Sequence, residues 1–145
     1  MPANGVGAGD STQFSVLLVD DDPEVLWALA DTLDFFGLRH HEAADAQTAM
    51  ACLGEHPDIA VIVSDMRMPG DDGPTLLAAA IRLRHAPEVA LSGVMITGQV
   101  ALSIALPEGA VELLVKPFRA EELLQAIHKA MAIASLRRQQ AQGRC

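Results

Sequence analysis

The sequence predicts an α/β fold: one domain with a five-stranded parallel sheet in the order 2-1-3-4-5 and five helices covering both faces. Three observations carry that prediction. Short Val- and Ile-rich runs alternate with longer stretches of helical spacing. The short runs are nearly continuous in apolar character, as expected for strands buried on both faces. The 145 residues are enough for one sizeable core and too few for two.

Residues 1–13 are mostly small and polar without periodicity, and read as a disordered lead-in. The folded unit is expected over 14–135. Its first strand is 16–19, followed by a helix with the stripe Val25, Leu26, Leu29, Leu33 and Phe36, ended by Gly37 at a C′ position. A weaker strand at 39–44 leads to a helix at 46–53. The third strand, 59–63, precedes a helix at 75–83 entered through Gly73-Pro74, with proline at a tolerated first turn. The fourth strand is 94–97, and a short helix at 99–106 closes at Pro107 and Gly109. The last strand is 111–115. The fifth helix starts near Ala120 with the stripe Leu123, Leu124, Ile127, Ala130, Met131 and Ala134. Glu121 and Glu122 sit at its positive end, Arg137 and Arg138 at its negative end. Residues 136–145 read as a polar C-terminal tail too short to fold.

Composition excludes several classes. Ten basic residues against 19 acidic give a charge of -9, the wrong sign for a phosphate backbone. No apolar run approaches the ~18 residues of a membrane span, and the N-terminus lacks a secretory pattern. Cys52 and Cys145 make neither a disulfide framework nor a zinc site between them. Cys52 reads as a small buried hydrophobe. The expectation is a reduced, cytoplasmic chain with no nucleic-acid or membrane partner.

The polar residues that interrupt the apolar runs fall at one edge. Asp20, Asp21 and Asp22 follow the first strand, Ser64 and Asp65 the third, Thr97 ends the fourth, and Lys116-Pro117 ends the fifth. In an open parallel sheet the carboxyl ends of the strands share a crevice where ligands bind. With strands 1 and 3 adjacent, Asp20, Asp21 and Asp65 form a carboxylate cluster that either raises its pKa values or recruits a cation. Oxygen ligands at this charge suit Mg2+. The fifth strand lies roughly 10 Å from the third, a gap suited to a long side chain such as Lys116. An aspartate nucleophile, Mg2+ and a cation facing the phosphoryl oxygens make a workable phosphoryl-transfer site.

Four runs then fall into place: Leu17-Leu18-Val19-Asp20-Asp21-Asp22-Pro23, Ser64-Asp65-Met66-Arg67-Met68-Pro69-Gly70-Asp71-Asp72-Gly73, Ile96-Thr97-Gly98 and Val115-Lys116-Pro117-Phe118. Together they resemble the receiver domain of bacterial two-component response regulators, a chemotaxis-regulator-like, flavodoxin-like fold, over about residues 14–135. The resemblance implies a phosphorylation-dependent signalling switch. Asp65 would accept a phosphoryl group from a histidine kinase or histidine phosphotransfer protein in an Mg2+-dependent reaction. Asp20, Asp21, Asp65 and the backbone carbonyl of Arg67 would hold the ion, while Thr97 and Lys116 would bind phosphoryl oxygens. It further implies a cis peptide at Lys116-Pro117 and an open pocket beside Gly98. Arg67 and Gln99 match positions that tune phosphoryl lifetime. Such a domain catalyses its own phosphorylation and autodephosphorylation rather than turnover of a free substrate. One departure stands out: Leu113 occupies a position where the family often carries Tyr or Phe, so signalling through that aromatic rotamer is in doubt.

The remaining residues have plainer readings. Asp22 is an N-cap ahead of Pro23, and Asp71 and Asp72 are turn residues. His40 and His41 form a strand-edge surface pair; His56, His85 and His128 are loop or helix-surface positions. Trp27 is a partly exposed packing residue. The uncharged segment 99–106, with the fifth strand and fifth helix, is the expected face for a downstream effector or a homodimer. No output domain is recognisable, so the chain reads as a stand-alone receiver working as an adaptor or phosphorelay intermediate, or as a fragment of a longer regulator. Two alternatives come from other classes. Asp20-x-Asp22 after a strand mimics the opening motif of a haloacid-dehalogenase-like phosphatase, and Leu113 motivates a phosphate-independent interaction module.

Overall fold

The computed structural model describes residues 14–67, 72–98 and 106–142. Their elements run β1 (Ser15–Val19), α1 (Pro23–Phe35), β2 (His40–Ala43), α2 (Ala46–Glu55), β3 (Ile59–Asp65), α3 (Gly73–Leu83), a 3-10 turn (Pro87–Val89), β4 (Ser92–Thr97), β5 (Ala110–Val115) and α4 (Ala120–Gln142). The sheet is parallel throughout, in the order β2-β1-β3-β4-β5. Five helices were expected; the described residues hold four α-helices and one 3-10 turn. The candidate at 99–106 and the lead-in at 1–13 fall on residues outside the description, Leu106 excepted.

Alternation along the strands divides the core in two. Val16, Leu18, Val61, Val63, Val94 and Ile96 pack against Leu29 and Leu33 of α1 and Leu123, Ile127 and Met131 of α4. Leu17, Val19, Ile62 and Met95 point the other way, against Ala49 and Leu53 of α2 and Leu76, Leu77 and Ala80 of α3. This is why the strands read as continuous apolar runs: each residue meets one helical layer or the other. Burial of a Leu or Ile side chain contributes about 1.5–3 kcal/mol, so these two layers supply most of the driving force.

Helix starts follow the expected chemistry. Asp22 caps α1 by accepting from the Glu24 N–H at 2.9 Å, with Pro23 next. Asp45 caps α2 through Thr48 at 2.7 Å, and Asp72 caps α3 through Thr75 at 2.8 Å. Gly37 ends α1 with φ at 73°, a left-handed conformation that favours glycine.

The C-terminal boundary departs from expectation. The tail expected at 136–145 is helical as far as Gln142, because α4 meets no Gly or Pro until Gly143. Within it Arg138 is buried. Its Nε donates to the Ala90 carbonyl at 2.9 Å and its Nη2 to the Ile59 carbonyl at 3.0 Å, with the guanidinium 4.8 Å from the Phe14 ring centroid. Arg84, at the end of α3, is also buried. It donates to the carbonyls of Ile59 (2.8 Å), Val89 (3.0 Å), Leu53 (3.1 Å) and His56 (2.7 Å). The two cations stitch the amino-terminal edge of the sheet, opposite the edge where the chemistry converges.

Candidate functional site

Register fixes the site. Val19 pairs with Ser64 across β1 and β3, so Asp20 and Asp65 emerge side by side at the carboxyl edge. Thr97 pairs with Val115 across β4 and β5, and the Lys116 N–H donates to the Thr97 carbonyl at 2.8 Å. Lys116 reaches back across β4 and places Nζ 3.7 Å from Asp65 Oδ2. The long side chain thus spans the gap that the sheet geometry demanded. The Lys116-Pro117 peptide is cis, as the motif implied.

Asp65 is half-buried, and its Oδ1 accepts from the Arg67 N–H at 3.2 Å. Asp21 and Arg67 are exposed at the mouth, whereas Thr97 is buried. Among the described residues a Cβ placed on Gly98 meets nothing within 4 Å. Leu113 is half-buried on β5 against the α2/α3 layer of the core. Gln99, Met68, Pro69, Gly70 and Asp71 lie outside the described residues.

Asp20 has the most demanding environment. It is 2% exposed; Oδ1 accepts from the Asp22 N–H at 2.9 Å, while Oδ2 is buried and has no hydrogen-bond partner among the described residues. Burial pushes its pKa up, and the nearby Asp65 and Asp21 charges push the same way, against the Asp22 hydrogen bond and Lys116. An orphaned, buried carboxylate oxygen beside two more carboxylates is a donor set that fits a hard divalent cation.

That environment has a consequence for stability. A carboxyl whose pKa is raised by folding holds its proton more tightly in the native chain than in the unfolded one. Stability therefore falls as pH climbs from the ordinary carboxylate range through the raised native value. In the metal-free protein Asp20→Asn is expected to melt higher than wild type at pH 7. The gain should shrink as pH falls from 7 to about 4, close to the ordinary carboxylate value and below the raised native one, where the native carboxyl is already protonated. Calorimetric scans in EDTA at both pH values check this; a variant less stable at pH 7 would contradict it.

One further residue shapes the site and went unremarked in the sequence beyond its place in the motif. A Cβ at Gly73 would lie 2.3 Å from the Asp65 carbonyl oxygen and 3.1 Å from Met95 Sδ. The first turn of α3 is thus seated directly on the acceptor strand, with the Gly73 N–H donating to the Met66 carbonyl at 3.0 Å. Gly73→Ala should destabilise by about 1–3 kcal/mol through overpacking, read as a lower urea midpoint at unchanged slope.

Comparisons with known proteins give the family and the fold. A profile of the response regulator receiver domain matches residues 16–128. The chain belongs to the response regulator receiver domain family. The receiver domain is 40% identical over 128 residues to the C4-dicarboxylate transport transcriptional regulatory protein DctD of Pseudomonas aeruginosa, covering 86% of this chain and 26% of that protein. It is 33% identical to the transcriptional regulatory protein FixJ of Rhizobium meliloti, covering 82% of this chain and 57% of FixJ. The chain therefore spans only part of the length of these relatives, about a quarter for DctD. A receiver domain crystal structure from Clostridium thermocellum superposes with a TM-score of 0.74 at 27% identity, over 85% of this chain and 98% of that one. Family membership sets aside the haloacid-dehalogenase-like alternative. Among the described residues no helix is long and apolar enough to cross a membrane.

Proposed function

We propose that this receiver domain is a cytoplasmic, phosphorylation-dependent switch whose acceptor is Asp65. One observation supports it most strongly: the Asp65 carboxylate faces Lys116 Nζ at 3.7 Å beside a buried Asp20 oxygen that lacks a partner. A structural carboxylate cluster would be expected to satisfy that oxygen internally; a ligand-binding one leaves it for the ligand.

In the proposed reaction an Asp65 carboxylate oxygen attacks the phosphorus of a phosphohistidine on a kinase or phosphotransfer protein. The P–N bond breaks, the imidazole leaves, and an acyl phosphate forms. Water later attacks the same phosphorus, breaking the P–O bond and restoring the carboxylate with release of inorganic phosphate. Lys116 would pair with a phosphoryl oxygen, and the Thr97 hydroxyl would donate a hydrogen bond to a second. Asp20, Asp21, Asp65 and the Arg67 carbonyl would hold Mg2+, whose charge would offset that of the transferred group when bound. The switch would be read without an aromatic at position 113. The reading face we propose for an effector or a second copy is the expected fourth helix at 99–106 together with β5 and α4, where β5 is an edge strand and Leu106 and Val115 are exposed.

Intact-protein mass after incubation with acetyl phosphate tests the reading. The account expects one added phosphoryl group with Mg2+ and none in EDTA. If purified kinase and acetyl phosphate both leave the mass unchanged with Mg2+ present, the phosphate-independent module becomes the better description.

A further inference from the structure

Away from the carboxyl edge, α2 carries Cys52 and, four residues on, its C-cap His56, so both side chains leave the same face of the helix. On the neighbouring edge strand, His41 pairs with Leu17 in register and shares its parity with Ala43, both of which pack in the α2/α3 layer. The strand therefore turns His41 toward α2. The His41 and His56 rings stack with centroids 4.1 Å apart and an interplanar angle of 24°. One ligand atom from each of His41, Cys52 and His56 lies within 4.8 Å of the others.

We propose that His41, Cys52 and His56 form a second metal site, distinct from the carboxylate pocket, that takes a thiophilic divalent ion such as Zn2+. Two imidazoles and a thiolate are the donor set of borderline-soft ions and a poor one for Mg2+ or Ca2+. Bond lengths of about 2.3 Å to sulfur and 2.0–2.1 Å to nitrogen put tetrahedral donors about 3.3–3.6 Å apart. Closing the triad from its present spacing brings the donor atoms of three half-buried side chains about 1 Å nearer one another. The stacked rings would splay so that each directs a nitrogen at the ion. Coordination exchanges the Cys52 thiol proton for the metal and releases that proton to solvent, with water completing the fourth position.

The surroundings fit such a site. Metal-bound histidines usually give their other ring nitrogen to a carboxylate or carbonyl. Asp58 Oδ2 stands 4.0 Å from His41 Nε2 and is itself anchored by Ser15 Oγ at 2.8 Å and Arg39 at 3.3 Å. The His56 and Leu53 carbonyls hold the buried Arg84 at 2.7 and 3.1 Å. An ion here would fasten edge strand β2 to the corner between α2 and β3, at the edge of the sheet opposite Asp65.

Co2+ is the direct probe, because a thiolate ligand gives it a near-ultraviolet charge-transfer band that oxygen ligands do not. The reduced, metal-free full chain is titrated with Co2+ in saturating Mg2+, and Zn2+ is then added to displace it. The band is expected in wild type and in Cys145→Ser, and should be lost in Cys52→Ser. His41→Gln and His56→Gln should each weaken binding by more than the roughly 10–100-fold seen when only a ligand-orienting group is changed. Zn2+ should also raise the melting temperature of wild type and leave that of Cys52→Ser unchanged. No thiolate band in wild type, or a band that survives Cys52→Ser, would overturn the proposal and leave the imidazole pair as packing. Melting curves of the metal-free variants check folding; should Cys52→Ser fail it, the same decision is read from His56→Gln.

Discussion

Asp65→Asn is expected to take up no phosphoryl group under conditions in which the wild type takes up one. The amide is isosteric, so Lys116 and the Arg67 N–H keep neighbours of the same shape, but the attacking oxygen has lost its charge and nucleophilicity. Loss of the sole nucleophile from a site whose other groups merely stabilise charge should reduce the rate by at least about 10³-fold. The effect separates cleanly from Asp20→Asn, which leaves the nucleophile intact and acts through the ion. Asp65→Asn should therefore still show thermal stabilisation by Mg2+ through Asp20 and Asp21, weakened by the lost charge, whereas Asp20→Asn should show little. Rapid-quench assays with radiolabelled donor give the rate, and melting curves with and without Mg2+ give the binding comparison. An Asp65→Asn protein labelled at the wild-type rate would move the acceptor elsewhere.

The second large effect is on stability. Arg84 is 6% exposed and donates to four backbone carbonyls from α2, its C-cap, β3 and the 3-10 turn. It holds the amino-terminal edge as a cap shared by all of these elements. Each buried carbonyl left without a donor costs about 1–3 kcal/mol. Two of the four keep another donor, the Ile59 carbonyl from Arg138 and the His56 carbonyl from the Ile59 N–H, and water would reach part of that edge. Arg84→Met is therefore expected to lose about 3–5 kcal/mol, in the range found when one partner is removed from a buried charged contact. At about 3 °C per kcal/mol for a domain of this size, the melting temperature should drop by about 10–15 °C. Arg84→Lys should recover part of the loss, since one ammonium reaches fewer carbonyls than a guanidinium fork. Urea titration measures both, and a loss below about 1 kcal/mol would show that water replaces the arginine freely.

The parts of the molecule that were legible in the sequence share a physical reason. β1, β3 and β4 are buried on both faces, so their apolar runs are continuous and Asp20 and Asp65 mark strand ends. Lys116 closes the run of edge strand β5, which Glu112 alone interrupts within its length. Asp20, Asp65 and Lys116 stand out on that ground alone, and the parallel topology then gathers them at one edge. Gly37 and Asp22 were legible because turn and cap geometry admits few residue types.

The missed residues are those for which local pattern and tertiary role diverge. Arg138 continues the buried stripe Ile127, Met131, Ala134 at helical spacing, yet the sequence reading takes its charge only as a macrodipole partner at the helix's negative end, where the polar tail begins. The spacing was the better guide. Arg84 lies just beyond the α3 stripe, and nothing local tells that four carbonyls from elsewhere converge there. Cys52 and His56 are one helical turn apart, a signal available in the sequence. Their meeting with His41 depends on which way β2 faces, which only the register with β1 decides.

The most direct test of the switch is chemical trapping on the unmodified chain. An aspartyl phosphate is an acyl phosphate, and borohydride reduces it to homoserine, whereas free carboxylates and phosphoserine are untouched. Wild-type protein phosphorylated in Mg2+, reduced and digested should yield a peptide with homoserine at position 65 and at no other aspartate. Homoserine at Asp20 or Asp21, or none after phosphorylation is demonstrated by mass, would contradict the assignment of Asp65 as the acceptor.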